Sequence, residues 1–420
     1  MYIFEKIESN VRSYCHAFPD IFNKAKGATI YGSSGREYID FLAGAGALNY
    51  GHNNEFIKRR LIDYLESDGM THGLDMYTVA KQDFLTAFSE MILEPKGLDY
   101  KVQFCGPTGT NAVEASLKLA RKVTKRTGIF SFMGGFHGMT LGSLAVTSNE
   151  HHRAGASLPL SHTTFIPYAQ GFREDFDSIA YIENVLEDGH SGIEKPAAII
   201  VETVQAEGGI NVAPVTWLQR LRTLCDEHGI LLICDDIQVG CGRTGPFFSF
   251  ERAGIVPDMV VLSKSISGYG LPMSLLLIKP DLDIWSPAEH NGTFRGNQLA
   301  FVAATAALEY AKDRDLPSEV SQKASYLDGF LRSEIQSLSD KIDIRGLGMI
   351  WGIDVARLGG GDFAKSVAAS GFELGLIIER VGREDKVLKI MPPLDIEQPL
   401  LERGCHVIKQ AFQDCLALTH

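Results

Sequence analysis

No apolar run in this chain approaches the roughly 18 residues that a membrane-spanning helix needs. The longest, such as residues 197–201 and 230–234, are only as long as strands. Basic charge is also short: 40 Lys and Arg stand against 52 Asp and Glu, a net charge of −12. An acidic chain of this kind has no electrostatic footprint for nucleic acid. Its densest basic stretch, Arg121-Lys122 with Lys125-Arg126, reads as a solvated helix end. No C-x-x-C occurs, and the seven cysteines are odd in number, which argues for reduced thiols. The pair His151-His152 belongs to no recognisable metal-ligand spacing and reads as two adjacent surface histidines, so no metal is expected. Residues 1–12 carry Glu5, Lys6 and Glu8 and no apolar signal region. These absences together lead to the expectation of a cytoplasmic protein with neither nucleic-acid nor membrane partners.

What is present is ordinary for a large globular protein. Hydrophobic residues make up 45% and charged residues 22% of 420 residues, enough for two to three domains. Glycine is plentiful, at 42 residues, and many fall where a strand would turn into a helix. Near the N-terminus, residues 28–31 and 37–41 flank the turn Gly32-Ser33-Ser34-Gly35, a hairpin signal. A helix comes next, over about 54–66. From residue 101 short apolar strands alternate with amphipathic helices. Strands are expected at 101–104, 128–132, 197–202, 230–235, 259–262 and 274–278, and helices at 111–127 and 215–228. This alternation predicts an α/β fold with a mostly parallel sheet covered on both faces. After residue 317 a long helix, 318–337, precedes strands at 342–345 and 349–355 and a final helix. The expected division is residues 66–316 as a large domain. Residues 1–65 and 317–420 would form a smaller α+β domain from both chain ends.

Three features could carry chemistry. Lys264 comes after the apolar strand Met259-Val260-Val261-Leu262 and is surrounded by small residues and glycines. A desolvated lysine there is an amine nucleophile able to form a Schiff base; the alternative is a capping or ion-paired lysine. Asp235-Asp236 ends another apolar strand, where acids face a ligand crevice; the alternative is a cap for the next segment. Gly106-Pro107-Thr108-Gly109-Thr110-Asn111 opens a helix and could cradle phosphate, or be a simple capped turn. Gly240-Cys241-Gly242-Arg243-Thr244-Gly245 matches G-x-G-x-x-G, but acids end the preceding strand and an aromatic stretch comes after it, so it is a weak dinucleotide fingerprint. A phosphate cradle, an acid and a lysine on one sheet suit pyridoxal phosphate, whose pyridine nitrogen needs a carboxylate to stay protonated.

At these residues the chain resembles the class III (ω-amino acid) pyridoxal-phosphate aminotransferases, over nearly its whole length. The resemblance rests on Gly106-Pro107-Thr108-Gly109-Thr110, Gly134-Gly135-Phe136-His137-Gly138, Val201 to Gly209, Cys234-Asp235-Asp236-Ile237-Gln238, Leu262-Ser263-Lys264 and Gly292-Thr293. It implies the fold-type-I architecture and pyridoxal 5'-phosphate as cofactor. Lys264 would be the Schiff-base lysine and Asp235 the partner of the pyridine nitrogen. Gln238 would lie near the phenolic oxygen, and Phe136 would stack on the ring. Gly109 and Thr110 would bind phosphate, and His137 would join the cofactor contacts. Thr293 would reach the site of a neighbouring subunit, in a homodimer or a dimer of dimers. Glu207 would sit near the substrate carboxylate, and the Gly240 to Gly245 stretch would be a family segment rather than a dinucleotide site. Two departures stand out. Lys389 replaces a frequent arginine, and His137-Gly138-Met139-Thr140 replaces the frequent H-G-R-T.

Within the class, Gly44 to His52, His72-Gly73-Leu74-Asp75-Met76 and Gly292-Thr293-Phe294-Arg295-Gly296 are most similar to the diaminobutyrate–2-oxoglutarate aminotransferases of the ectoine pathway type. Such an enzyme moves an amino group from L-glutamate to L-aspartate 4-semialdehyde by a ping-pong Schiff-base mechanism. Lys389 is then expected to be the cation that Glu207 covers or releases, with a plain surface lysine as the alternative. Competing readings are another ω-amino acid aminotransferase, a pyridoxal-phosphate mutase, decarboxylase or racemase, a nicotinamide oxidoreductase, and a non-catalytic relative.

Overall fold

A seven-stranded sheet forms the centre of the molecule, in a computed structural model that describes residues 2–169 and 176–418. Its spatial order is Lys101–Phe104, Leu275–Ile278, Met259–Leu262, Leu231–Asp235, Ala198–Val201, Ile129–Phe132 and Thr163–Ile166. Only Leu275–Ile278 runs antiparallel to its neighbours. The inner strands are continuous runs such as Ala-Ile-Ile-Val and Met-Val-Val-Leu, buried at every position. That pattern requires helices on both faces. The helix Gly109–Thr124 covers one face, and Val215–His228 the other.

Six of the strands match the sequence expectation to within a residue or two at each end. Thr163–Ile166 lies outside that expectation: it is an edge strand, only half-buried, that opens on two threonines. A covered strand advertises itself by an apolar run, and an edge strand does not.

The chain ends share a second region. The hairpin strands Thr29–Gly32 and Glu37–Asp40 pair antiparallel, and Leu376–Ile377 adds to Glu37–Asp40 in parallel. A separate antiparallel sheet has the order Asp343–Leu347, Ile350–Asp354, Val387–Ile390, Glu379–Val381. Its last pairing places Glu379 directly across from Lys389. Arg243 ties the two regions together from a fully buried position. Its guanidinium donates to Asn49 Oδ1 at 2.6 Å and Met349 O at 3.0 Å, and also to Pro392 O. The glycine-rich stretch from Gly240 to Gly245 is therefore a joint between the two regions. Six of the seven cysteines are buried and all are free. No helix among the described residues is long and apolar enough to cross a membrane.

Candidate active site

Parallel strands end together, so the segments that leave them converge on one crevice. Here that crevice is a cavity of about 390 Å³. Lys101–Phe104 leads to Gly109 and Thr110, and Ile129–Phe132 leads to Phe136 and His137. Ala198–Val201 leads to Glu202 and Glu207, Leu231–Asp235 to Asp235 and Gln238, and Met259–Leu262 to Lys264. All of these residues line the cavity.

Part of the cavity lining is built for an anion. Thr108 precedes the helix Gly109–Thr124, and its amide and hydroxyl donate to Asn111 Oδ1 at 3.2 and 2.9 Å. The next amides, of Gly109 and Thr110, find no acceptor among the described residues. They begin a sixteen-residue helix whose dipole favours negative charge at this end. A Cβ on Gly109 would fall 2.6 Å from Ile237 Cδ1, so a larger residue here would have to push the Ile237 side chain aside.

The cavity lining also holds a carboxylate. Asp235 Oδ2 lies 2.7 Å from His137 Nδ1, both buried, and Oδ1 accepts from the Ile237 amide at 3.2 Å. Burial alone would lower the His137 imidazole, but the hydrogen bond and charge of Asp235 outweigh it and raise it. Its neighbour Asp236 points elsewhere. The Asp236 carboxylate accepts from the Ser249 amide at 3.0 Å and from the Ser249 hydroxyl, and it does not line the cavity. Burial raises its pKa to about 7. The tandem acids divide into one that faces the ligand and one that holds a turn.

Lys264 lines the same cavity, with φ of 52° in the left-handed region that non-glycine residues seldom enter. Burial lowers its amine to about 8, with Lys389 adding to the effect and Glu207 opposing it. An ordinary lysine titrates near 10. Uptake of pyridoxal phosphate by the apoenzyme should therefore accelerate as pH rises through about 8, because the unprotonated amine is the nucleophile. A stopped-flow pH profile checks this; a midpoint near 10 would mean Lys264 is not desolvated.

Behind the cavity lies an ion cluster. Lys389 is 0% exposed, so it is not a surface lysine. Its Nζ lies 2.7 Å from Glu207 Oε1, 2.8 Å from Glu379 Oε2 and 3.3 Å from Gln238 Oε1. Gln238 Nε2 donates to Glu207 Oε1 and to Ala45 O, each at 3.1 Å. Tyr14 donates to Glu379 Oε1 at 2.9 Å. Burial would lower the Lys389 amine, but Glu207 and Glu379 raise it instead. Burial would also raise the Glu207 carboxyl, but Lys389 and then Lys264 hold it well below the usual range. Glu207 lines the cavity and Lys389 does not, so the glutamate stands between the cation and any bound molecule.

Thr293 lies outside this cavity, on an exposed stretch next to Phe294. Two site residues are absent from the sequence expectation. Glu202 lines the cavity, accepts from the Phe136 amide at 3.0 Å, and is raised by burial to about 8. It stands immediately after the strand Ala198–Val201, so the rule that selects Asp235 would also find it. Glu379 has no such signal, because it depends on cross-strand register.

An anion cradle, a central carboxylate and a desolvated lysine make a donor set that fits a flat heterocycle carrying a phosphate and an aldehyde. The class-III aminotransferase family model matches residues 12–412. The chain belongs to the class-III aminotransferases. A diaminobutyrate–2-oxoglutarate transaminase from Halalkalibacterium halodurans is 52% identical over 98% of this chain and 96% of its own length. One from Streptomyces coelicolor is 52% identical over 98% and 97%. Among solved structures, the ornithine aminotransferase of Toxoplasma gondii superposes with a TM-score of 0.86 at 25% identity, covering 99% of this chain and 94% of that one; its active site is partly occupied by PLP. As a class-III aminotransferase this protein uses pyridoxal 5'-phosphate. The resemblance to this family and fold carried by the motifs holds over nearly the whole length.

Proposed function

We propose that this aminotransferase moves the amino group of L-glutamate to L-aspartate 4-semialdehyde, giving L-2,4-diaminobutyrate and 2-oxoglutarate. Full-length identity of 52% to transaminases of that name supports the reaction. The observation that carries it is the buried Lys389 with Glu207 in front of it. The two amino donors make opposite demands. Glutamate brings a carboxylate on its reacting carbon. Diaminobutyrate reacts at C4, which has none. A fixed bare cation would favour the first and lie unpaired beneath the second. Glu207 resolves the conflict by pairing with Lys389 when diaminobutyrate binds and moving aside when glutamate binds. Glu207 reaches the site from a turn, whereas Glu379 is held across from Lys389 by strand register. Lys389 therefore keeps one anion at all times and exchanges the other.

The cofactor supplies an electron-withdrawing ring and an aldehyde carbon to which an amine can bind. In this reading the Gly109 and Thr110 amides hold its phosphate and Phe136 packs on its ring. Asp235, oriented by His137, keeps a proton on the ring nitrogen, and Gln238 faces the ring oxygen. The Lys264 amine would serve as the base that takes the proton from the reacting carbon and as the acid that gives it back two atoms along, a 1,3-shift.

We further read the protein as a cytoplasmic homodimer or dimer of dimers in which Thr293 reaches the neighbouring subunit's phosphate. Phe294 and the segment that carries His72 lie together, with ring centroids 5.4 Å apart. Phe294, Leu74, Met76 and Tyr77 there are exposed, an apolar face suited to a second copy.

Lys389→Met keeps most of the buried volume and removes the charge. A charged hydrogen bond contributes about 1.5–3 kcal/mol, so the glutamate half-reaction should slow about ten- to a hundredfold. The diaminobutyrate half-reaction should suffer much less, and Lys389→Arg should retain both. Rapid-mixing measurement of each half-reaction decides it; equal losses in both would place the switch elsewhere.

A further inference from the structure

Tyr14 is half exposed, yet its hydroxyl turns inward and donates to Glu379 Oε1 at 2.9 Å, across 365 positions of sequence. Its place is set by its own short helix, Tyr14–Ala17, and by Phe18 just after it. The buried Phe18 packs against Phe372, with ring centroids 5.9 Å apart, and belongs to the same apolar cluster as Ile377. Ile377 stands two residues before Glu379 in the chain. One apolar anchor therefore fixes the helix beside the segment that carries the glutamate.

An ammonium has three N–H donors. Those of Lys389 have three acceptors: Glu207 Oε1 at 2.7 Å, Glu379 Oε2 at 2.8 Å and Gln238 Oε1 at 3.3 Å. Glu379 thus gives one oxygen to Lys389 and the other to Tyr14. Freed of Tyr14, the second oxygen would turn to the buried cation and draw off a donor that now serves Glu207. The place of Glu207 is where glutamate's carboxylate binds in the reading given above, on which this inference rests. Burial and the charges of Glu379 and Glu207 raise the Tyr14 phenol well above its ordinary value, so it remains a donor at any working pH.

We propose that Tyr14 is a positioning residue for amino-donor selection: it holds Glu379 to a one-oxygen contact with Lys389, which leaves the cation free to take the carboxylate on glutamate's reacting carbon. Diaminobutyrate has no carboxylate there, so its half-reaction does not call on this freedom. Tyr14 does not line the cavity. It acts through Glu379.

Tyr14→Phe removes the hydroxyl and keeps the ring, and Phe18 still anchors the helix. In single-turnover half-reactions of the holoenzyme, it should lower the rate-over-affinity ratio for glutamate about tenfold. The loss should lie in affinity, with the saturating rate within about twofold of wild type. The diaminobutyrate half-reaction should change less than about twofold. Glu379→Gln supplies the second arm, because a neutral amide competes weakly for Lys389. On that background, Tyr14→Phe should slow glutamate less than about twofold, the non-additivity expected within one network. Unchanged cofactor absorbance and melting temperature of Tyr14→Phe confirm the fold. A full tenfold loss on the Glu379→Gln background would mean that Tyr14 touches the substrate itself. Equal losses for both donors would mean a structural role. Either result, or no loss on glutamate, overturns the proposal. If Lys389→Met slows glutamate and Tyr14→Phe does not, this inference alone falls; if Lys389→Met leaves glutamate unaffected, the switch reading falls and the inference with it. If wild-type enzyme ignores diaminobutyrate, the proposed reaction fails, while glutamate on the two backgrounds still decides the role of Tyr14.

Discussion

Lys264→Ala enzyme should bind pyridoxal phosphate and turn over at least about four decades more slowly than wild type. The residue lines the same cavity as the open amides of Gly109 and Thr110, which belong to a different segment of the chain. The phosphate cradle does not depend on it, so cofactor binding should survive. What disappears is the only lysine among the residues lining the cavity. Its amine is lowered to about 8 by burial, so near neutral pH it both takes up and releases protons readily. Borohydride reduction of wild type, with peptide mapping afterwards, should leave the cofactor on Lys264. A small primary amine added to the variant should restore part of the proton transfer, since alanine leaves room for it. A label on any other lysine, or activity within about a hundredfold of wild type, would remove Lys264 from the mechanism.

The Asp235→Asn variant should lose several decades in rate with its fold intact. Asparagine is nearly isosteric and can still accept from the Ile237 amide, now 3.2 Å from Oδ1. It cannot carry the negative charge that keeps a proton on the ring nitrogen. Its amide nitrogen would also face His137 Nδ1, which now lies 2.7 Å from a carboxylate oxygen, and so disturb the imidazole that orients it. Both effects weaken the electron sink without opening a cavity in the core. A rate within about tenfold of wild type, or ~1.4 kcal/mol of barrier, would be incompatible with this role. The same replacement at Asp236 should act on stability, because that carboxyl is engaged with the Ser249 amide and hydroxyl.

Much of the fold is legible because burial on both faces of a strand leaves a mark in one dimension. The runs at residues 198–201, 231–234 and 259–262 are apolar without alternation, and each leads directly into a cavity-lining residue. Position at a strand's carboxyl end marks Lys264 and the pair Asp235-Asp236 as candidates. The same position marks Glu202, which lies inside the Val201 to Gly209 motif but has no expected role there.

The sequence by itself determined the layered α/β architecture and the family, and it marked Lys264, the pair Asp235-Asp236, Gly109 and Thr110 as candidates for one site. All of these rest on local pattern: apolar runs, turn residues, and short motifs at strand ends. Only the tertiary structure separated Asp235 from Asp236, since adjacent side chains on a strand point to opposite faces and the sheet's surroundings choose between them. Only the tertiary structure buried Lys389 and gave it two anions, one from a distant turn and one by register across the sheet. It also separated His152 from His151 by packing one of them against Phe136. These assignments depend on contacts between residues far apart in the chain, and pairings at that range leave no periodic trace in the sequence that produces them.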